Sequence, residues 1–232
     1  MPPAPWTNVL ANPRFGCLVT EAGLGYSWAG NSQMNRLTPW SNDPTSDSPG
    51  EVIYLRDEET GDFWTPTPLP LGPAATVTVR HGQGYTRYTH DSRNLYQDLL
   101  VFVPTDDPIK LVCLTVRNDG DRPRRLSATY YAEWVLGTVR ENAPLQVVCE
   151  RDPESGAILA RNAWAGDFAE EDRLRGLWFA DAVGHRRSYG VSRGTRLGFN
   201  ARRPEARRAV RPRGPGPRSL RGNDDGNDAG SW

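Results

Sequence analysis

The chain has 232 residues, enough for one large all-β domain or two small ones. Hydrophobic residues make up 37% of the chain, a low share for a globular protein, and they become sparse after about Phe179. The formal net charge is zero, so overall charge does not indicate a nucleic acid or an acidic membrane surface as a partner.

Three cysteines, Cys17, Cys113 and Cys149, are odd in number and lack the paired spacing of a disulfide framework or a zinc site. A reducing cytosol suits such a chain, and we expect a cytoplasmic location. No apolar run approaches the roughly 20 residues that span a bilayer. Residues 1–6 lack the charged and apolar regions of a signal peptide, so none is expected.

The first stretch, Trp6–Pro49, is rich in glycine, asparagine, serine, proline and aromatic residues and has little periodicity. It predicts long ordered loops with short strands. The pattern then changes to short β-like runs. Two of them, Glu51–Arg56 and Phe63–Thr65, flank the turn-forming segment Glu59–Asp62. That arrangement predicts a β-hairpin.

Further strands follow at short spacing. Ala75–His81 and Tyr85–His90 predict a second hairpin around a glycine-rich turn. Leu95–Val103 and Ile109–Val116 are apolar on both faces, which is typical of strands enclosed between two layers.

The clearest element is Arg125–Leu136, which predicts a long, half-buried strand. Its alternate apolar positions are Leu126, Ala128, Tyr130, Ala132, Trp134 and Leu136. Gln146–Arg151 and Ala157–Arg161 predict another hairpin, and Leu177–Ala180 a last strand. There is no convincing amphipathic helix, so many strands with short turns predict an all-β sandwich or barrel.

The composition changes after about Gly184, where arginines are scattered among glycine and proline. Apolar residues become too few to bury a core, so we expect a disordered tail over 188–232. An RNA-binding tail is the alternative. It would require regular spacing and interleaved aromatic residues, which this segment lacks.

Motifs for catalysis are weak throughout. There is no GxSxG and no HExxH, and the histidines His81, His90 and His185 are dispersed. The short glycine pairs favour turns over phosphate loops, and no carboxylate pair stands out by context. We therefore predict no catalytic residue, no metal site and no cofactor for this chain.

The aromatic residues are more informative. Trp28, Trp40 and Trp64 lie beside polar residues, a mixture that suits sugar stacking with hydrogen bonds at the rim. The alternative is that these side chains pack in the core or between layers, as aromatic residues usually do.

Several motifs in order resemble glycoside hydrolase family 94, which contains cellobiose and chitobiose phosphorylases and cyclic β-1,2-glucan synthases. They include Gly25–Trp28, Arg36–Pro44, His81–Tyr85, Val101–Pro104 and Glu133–Gly137. The ordered series covers about residues 5 to 187. The motifs Pro-Trp-Ser-Asn-Asp-Pro and Glu-Trp-Val-Leu-Gly are most similar to the cyclic β-1,2-glucan synthase branch.

The resemblance implies an all-β, galactose-mutarotase-like super-sandwich of antiparallel sheets. We expect an incomplete sandwich over 1–187 and the disordered tail over 188–232. In the family a helical linker and an (α/α)6 barrel follow, and the barrel carries the catalytic acid and the phosphate site. Inorganic phosphate would therefore be a co-substrate of the parent protein only, and the catalytic acid has no counterpart in this chain.

The expected function is that of a fragment of a β-glucan-processing glycosyltransferase or phosphorylase. It would supply the carbohydrate-binding scaffold and be inactive alone. Its expected partners are a β-glucan oligosaccharide and the parent's catalytic barrel, with no nucleic acid and no membrane segment in this chain. A parent synthase would be anchored in the inner membrane through other segments.

Six residues in the densest motifs are the candidates for a substrate-binding surface. They are Trp28, Arg36, Asn42, Asp43, Arg56 and Trp64. Two other interpretations stay open: a stand-alone carbohydrate-binding module, and a non-functional gene remnant. The loss of resemblance near Tyr189, with the sudden change of composition, suggests a frameshift or truncation there.

Overall fold

The computed structural model describes residues 5–40, 49–154 and 157–162, together with the backbone of 175–177 and 194–201. Strands dominate these residues. Helical structure within them is limited to a 3-10 turn at Arg140–Asn142 and one α-helical turn at Ala143–Gln146. Within this described part, no helix is long and apolar enough to cross a membrane.

Sheet A is antiparallel and consists of β1 (Thr7–Ala11), β2 (Phe15–Thr20) and β3 (Tyr26–Ala29). It falls in the stretch predicted to hold short strands among loops, and that prediction is confirmed. The β1–β2 turn is fixed by Asn12, whose side-chain oxygen accepts hydrogen bonds from the backbone N–H groups of Arg14 and Phe15, both at 2.9 Å.

Sheet B has the order β14-β10-β4-β5. Its strands are β4 (Glu51–Asp57), β5 (Phe63–Trp64), β10 (Arg124–Ala132) and β14 (Gly194–Ala201). Leu55 pairs with Trp64, which confirms the predicted hairpin. The backbone of β14 is a strand antiparallel to β10, although the sequence predicts no regular structure beyond residue 187.

The strand β10 ends four residues before the predicted limit at Leu136. Leu136 has φ +47°, which lies in the left-handed region and is incompatible with a continuing strand. Gly137, the next residue, bridges instead to Arg36. The chain therefore leaves sheet B at this point and runs beside the loop that follows β3.

Sheet C is a meander of β6 (Thr78–Gly82), β7 (Tyr85–Ser92), β8 (Leu95–Phe102) and β9 (Leu111–Asn118). The prediction that β9 is enclosed on both faces is wrong. It is an edge strand of this sheet, and Cys113, Thr115 and Arg117 on its outer face are exposed. Their exposure leaves Val112, Leu114 and Val116 as the packing face.

Sheet D is antiparallel and consists of β11 (Val147–Arg151), β12 (Ile158–Asn162) and β13 (Arg175–Leu177). The first two strands confirm the predicted third hairpin. Of the predicted strand Leu177–Ala180, only Leu177 is described, and it ends β13; residues 178–180 lie outside the described residues.

The core lies between sheets B and C, and residues of sheet A pack against it. Leu55 and Trp64 of sheet B pack with Leu95 of sheet C, and all three side chains are at most 1% exposed. Full burial of a leucine side chain stabilises a fold by about 1.5–3 kcal/mol. A second cluster joins Cys17 of sheet A to Tyr88 of sheet C. These antiparallel layers confirm the predicted all-β sandwich.

Candidate functional site

The chain forms a cleft where the loop after β3 meets the segment after β10. The backbone N–H of Arg36 donates to the carbonyl oxygen of Gly137 at 3.2 Å, and the N–H of Gly137 donates back to Arg36 at 2.9 Å. The N–H of Val135 donates to the carbonyl of Leu37 at 2.8 Å. These bonds hold two segments that are about a hundred residues apart in the chain side by side.

Trp40 lines this cleft and belongs to a row of packed aromatic rings with Tyr26 and Trp28. The ring of Tyr26 lies 5.5 Å from that of Trp40 at an interplanar angle of 20°, a stacked arrangement. It lies 5.2 Å from the ring of Trp28 at 38°. Tyr26 is buried, whereas Trp28 and Trp40 are partly exposed. Burial raises the pKa of the Tyr26 hydroxyl, with Arg36 opposing that effect, so this hydroxyl stays neutral near neutral pH.

The indole of Trp28 is fixed by a glycine. A Cβ atom placed on Gly16 of β2 would lie 2.3 Å from a ring carbon of Trp28, so any side chain at position 16 would displace the ring. Gly16 pairs with Trp28 in the sheet A register. The ring therefore lies across the backbone of β2, and its position is set by the sheet itself.

Charged side chains also line the cleft. The Nη1 group of Arg36 donates to the carbonyl of Trp40 at 3.3 Å, while its Nε is buried and has no hydrogen-bond partner among the described residues. Arg140 donates through Nε and Nη2 to the two carboxylate oxygens of Glu133, at 2.7 and 2.8 Å. Arg36 and Arg140, with Trp40, Thr138 and Glu141, line a cleft of about 210 Å³.

Beneath the cleft, a buried carboxylate fixes the surrounding elements to one another. One oxygen of Glu51 accepts hydrogen bonds from the hydroxyls of Ser27 and Thr38, both at 2.7 Å. Its other oxygen accepts from Lys110 Nζ at 2.8 Å and from the Tyr130 hydroxyl at 2.5 Å. The network joins β3, β4, β10 and the loop before β9, and so sets where the cleft residues lie.

The charge state of this network follows from opposing effects. Burial, the largest influence on Glu51, disfavours its charged form, but the Lys110 ammonium and the hydrogen bonds outweigh burial and lower the pKa of Glu51. Burial likewise disfavours charged Lys110, yet Glu51 raises the pKa of this lysine above its usual value. The pair is ionised at neutral pH, and Glu51 is therefore a structural anchor and no proton donor.

The structure brings two of the predicted site residues together, Trp28 and Arg36. Arg56 is exposed at the other end of β4, five residues from Glu51 and so about 17 Å along the strand. Asn42 and Asp43 lie outside the described residues.

Trp64 occupies a different position, in the core between sheets B and C. It is 0% exposed, its indole N–H donates to Gln97 at 2.9 Å, and the guanidinium of Arg93 lies 4.7 Å from its ring centroid. A ring enclosed in this way cannot stack on a sugar. Trp64 therefore packs in the core, which is the alternative interpretation given for these tryptophans.

Two cleft residues were absent from the six candidates: Trp40 and Arg140. Trp40 was already one of the tryptophans suited to sugar stacking, and the motif Arg36–Pro44 that contains it could have added it to the set. Arg140 belongs to no motif and reaches the cleft only because the segment after β10 runs beside the loop after β3. Among the described residues, no three histidine, cysteine, aspartate or glutamate side chains converge as metal ligands.

Comparison with known proteins places these features in a family. The model of the glycosyl hydrolase 94 supersandwich domain matches residues 1–219, which extends past the predicted domain limit at residue 187. A cyclic beta-(1,2)-glucan synthase of Rhizobium meliloti is 38% identical over 167 residues, covering 72% of this chain and 6% of that protein.

Two phosphorylases are also similar. An N,N'-diacetylchitobiose phosphorylase of Vibrio furnissii is 36% identical over 203 residues, covering 85% of this chain and 25% of that protein. A solabiose phosphorylase of Paenibacillus borealis is 28% identical over 165 residues, covering 69% of this chain and 22% of that protein. The chain thus spans a quarter or less of these relatives. It belongs to glycoside hydrolase family 94 and contains that family's supersandwich domain.

Proposed function

We propose that this chain acts as the sugar-facing sandwich portion of a larger β-glucan-processing synthase or phosphorylase, and that it does not turn over substrate alone. The single observation that carries the proposal is the Arg36 cleft, where a partly exposed tryptophan lies beside two arginines within the family's motif-bearing region. The proposed partners are a β-glucan oligosaccharide and the parent's catalytic helical barrel, which would also handle inorganic phosphate. We propose a cytoplasmic location for this domain.

The chemistry of the cleft suits a pyranose. A glucose ring presents apolar C–H faces and a rim of hydroxyl groups. The partly exposed ring of Trp40 can contact such a face, and Arg36, Arg140 and Glu141 at the cleft can exchange hydrogen bonds with hydroxyls. The buried, unpartnered Nε of Arg36 supports a ligand or a further segment at this position, because a buried donor without a partner is costly.

The size of the cleft supports a shared site. Its volume of about 210 Å³ is below the roughly 300–1,000 Å³ typical of pockets that enclose a ligand by themselves. A second domain placed over the cleft would complete it. This agrees with a sandwich that contributes one wall of a site whose remainder belongs to the parent.

Two carboxylates near the cleft, Glu51 and Glu133, are occupied by protein partners, which supports a catalytic acid located elsewhere. Phosphorolysis of a glycosidic bond requires a carboxylic acid that protonates the departing oxygen. Glu133 is engaged by both donors of Arg140, and the pKa of Glu51 is lowered by its buried partners despite its burial. Glu51 is buried and held as a carboxylate, and both oxygens of Glu133 are occupied by Arg140, so neither is available to a departing glycosidic oxygen.

Calorimetric titration of the 232-residue chain with β-1,2-linked gluco-oligosaccharides tests the proposal. We expect saturable binding that weakens at least tenfold in Arg36→Ala and in Trp40→Ala. Arg56→Ala, an exposed arginine about 17 Å away along β4, is the matched control and should bind as wild type. Binding that is indifferent to the cleft variants, or phosphate-dependent sugar release by the purified chain, would overturn the proposal.

A further inference from the structure

A second surface with ligand-binding chemistry lies on the outer face of sheet C. Along β7 the side chains of Thr86, Tyr88 and His90 are buried, whereas those of Tyr85 and Arg87 are exposed. In the β7–β8 register Tyr85 lies opposite Phe102, and Arg87 lies opposite Leu100. Tyr85, Arg87, Leu100 and Phe102, with Gly84, line a shallow groove of about 460 Å³, which we call the β7–β8 groove.

The ring of Tyr85 is held in place before any ligand arrives. It lies against Gly82, its register partner on β6, where an added Cβ would come within 2.2 Å of a ring carbon. The amide of Asn8 fixes the same hairpin end by donating to the carbonyls of Gly82 and Tyr85, at 3.0 and 2.9 Å. Tyr85 is nevertheless 40% exposed, so this ordered ring is available to a ligand at low entropic cost.

Arg87 is ordered as well. It donates through Nε and Nη2 to the two carboxylate oxygens of Asp98, a bidentate pair with side chains 47% and 11% exposed. This geometry uses one edge of the guanidinium and leaves both hydrogens of Nη1 for another acceptor. Because Arg87 and Asp98 neutralise one another, the groove favours a neutral ligand with hydroxyl groups over an anion.

We propose that the β7–β8 groove is a second glycan-binding surface, which takes a neutral β-linked gluco-oligosaccharide. A glucose unit with equatorial hydroxyls has flat C–H faces that match the rings of Tyr85 and Phe102, and its hydroxyls can accept from Arg87. The β7–β8 groove shares no residue with the Arg36 cleft. The choice of a glucan as its ligand rests on the proposed function.

An exposed thiol reports on this groove. Cys113 lies opposite Leu100 in the β8–β9 register and is exposed, so a bound oligosaccharide should shield it. The experiment uses the full chain with Cys149→Ser, which removes the other exposed thiol, and iodoacetamide as a neutral probe. Cys17 is 0% exposed, and burial raises its pKa to about 11, so its lack of reaction shows that each variant is folded.

We expect β-1,2-linked gluco-oligosaccharides to slow alkylation of Cys113 at least threefold at saturation. Tyr85→Leu, which still covers Gly82, should abolish this shielding. Arg36→Ala and Phe63→Leu, an exposed aromatic residue on β5, should retain it. Shielding retained by Arg36→Ala supports the groove even where calorimetric binding at the cleft is lost, so failure of one site is distinguishable from failure of the other.

Three results would overturn the proposal. The first is an unchanged alkylation rate at saturating oligosaccharide while Cys17 stays unreactive. The second is shielding that survives Tyr85→Leu. The third is shielding without sugar that increases with protein concentration, which would identify the groove as a contact between copies of this chain.

Discussion

Replacing Lys110 by Met should destabilise the sandwich by about 3 kcal/mol at neutral pH. Lys110 Nζ lies 2.8 Å from Glu51 and 3.0 Å from the carbonyl of Leu24, and the lysine and glutamate side chains are 6% and 4% exposed. Removing one partner of a buried ion pair costs about 3–5 kcal/mol, because it leaves the other charge uncompensated. We expect the lower end, since Ser27, Thr38 and Tyr130 would still donate to Glu51.

The loss of stability in Lys110→Met should become smaller as the pH is lowered. In wild type the pKa of Glu51 lies below its ordinary 4.5, because Lys110 and the hydrogen bonds outweigh burial. Its stabilisation is therefore present above pH 4.5 and lost as the pH falls through the folded-state pKa. In the variant burial prevails and raises that pKa, so Glu51 takes up a proton in mild acid and the uncompensated charge disappears.

Urea unfolding followed by tryptophan fluorescence, at neutral and mildly acidic pH, measures both effects. Adding Glu51→Gln to Lys110→Met should recover part of the loss. Arg117→Met is the control, since its pair with Asp119 is exposed on both sides and should change stability by less than about 1 kcal/mol. A loss below about 1 kcal/mol for Lys110→Met, or a loss independent of pH, would refute this reasoning.

Three further predictions follow from buried groups. Trp64→Ala should lower the free energy of unfolding in urea by about 3–5 kcal/mol, because it empties a fully enclosed site, and a loss under about 1 kcal/mol would contradict that burial. Thiol titration of the native chain should count two reactive cysteines, with Cys17 reacting only after denaturation; three fast thiols would contradict its burial. Burial lowers the pKa of His90 below 6.5, so the native state resists its protonation and stability should fall as the pH drops below 6.5. His90→Asn should flatten that dependence in urea titrations, and an unchanged slope would argue against it.

Local sequence patterns predicted the strand pairs that are adjacent in the chain. The hairpins at β4–β5, β6–β7 and β11–β12 depend on alternating residues around a short turn, and these signals are visible within about ten residues. The end of β10 was less predictable. Alternation continues to Leu136, but that residue has a positive φ, and the next residue, Gly137, bridges to Arg36, about a hundred residues away in the chain.

The sequence predicted only part of the candidate site, again because contacts between distant segments determine the rest. The resemblance identified Trp28 and Arg36 within the motifs, yet no local pattern distinguishes a partly exposed tryptophan from an enclosed one. Trp64 is covered by Gln97 of β8 and by Arg93 of the β7–β8 turn. Arg140 reaches the cleft only through the path of the chain after β10. Such contacts depend on how sheets pack, which sequence periodicity does not specify.

Titration calorimetry of the purified chain with β-1,2-linked gluco-oligosaccharides, together with a phosphate-dependent sugar-release assay on the same samples, tests the central claim most directly. The account predicts saturable heat with a component from the Arg36 cleft that weakens at least tenfold in Arg36→Ala, and no sugar release from any sample. A flat titration by chains whose Cys17 stays unreactive, or measurable turnover by the chain alone, would contradict it.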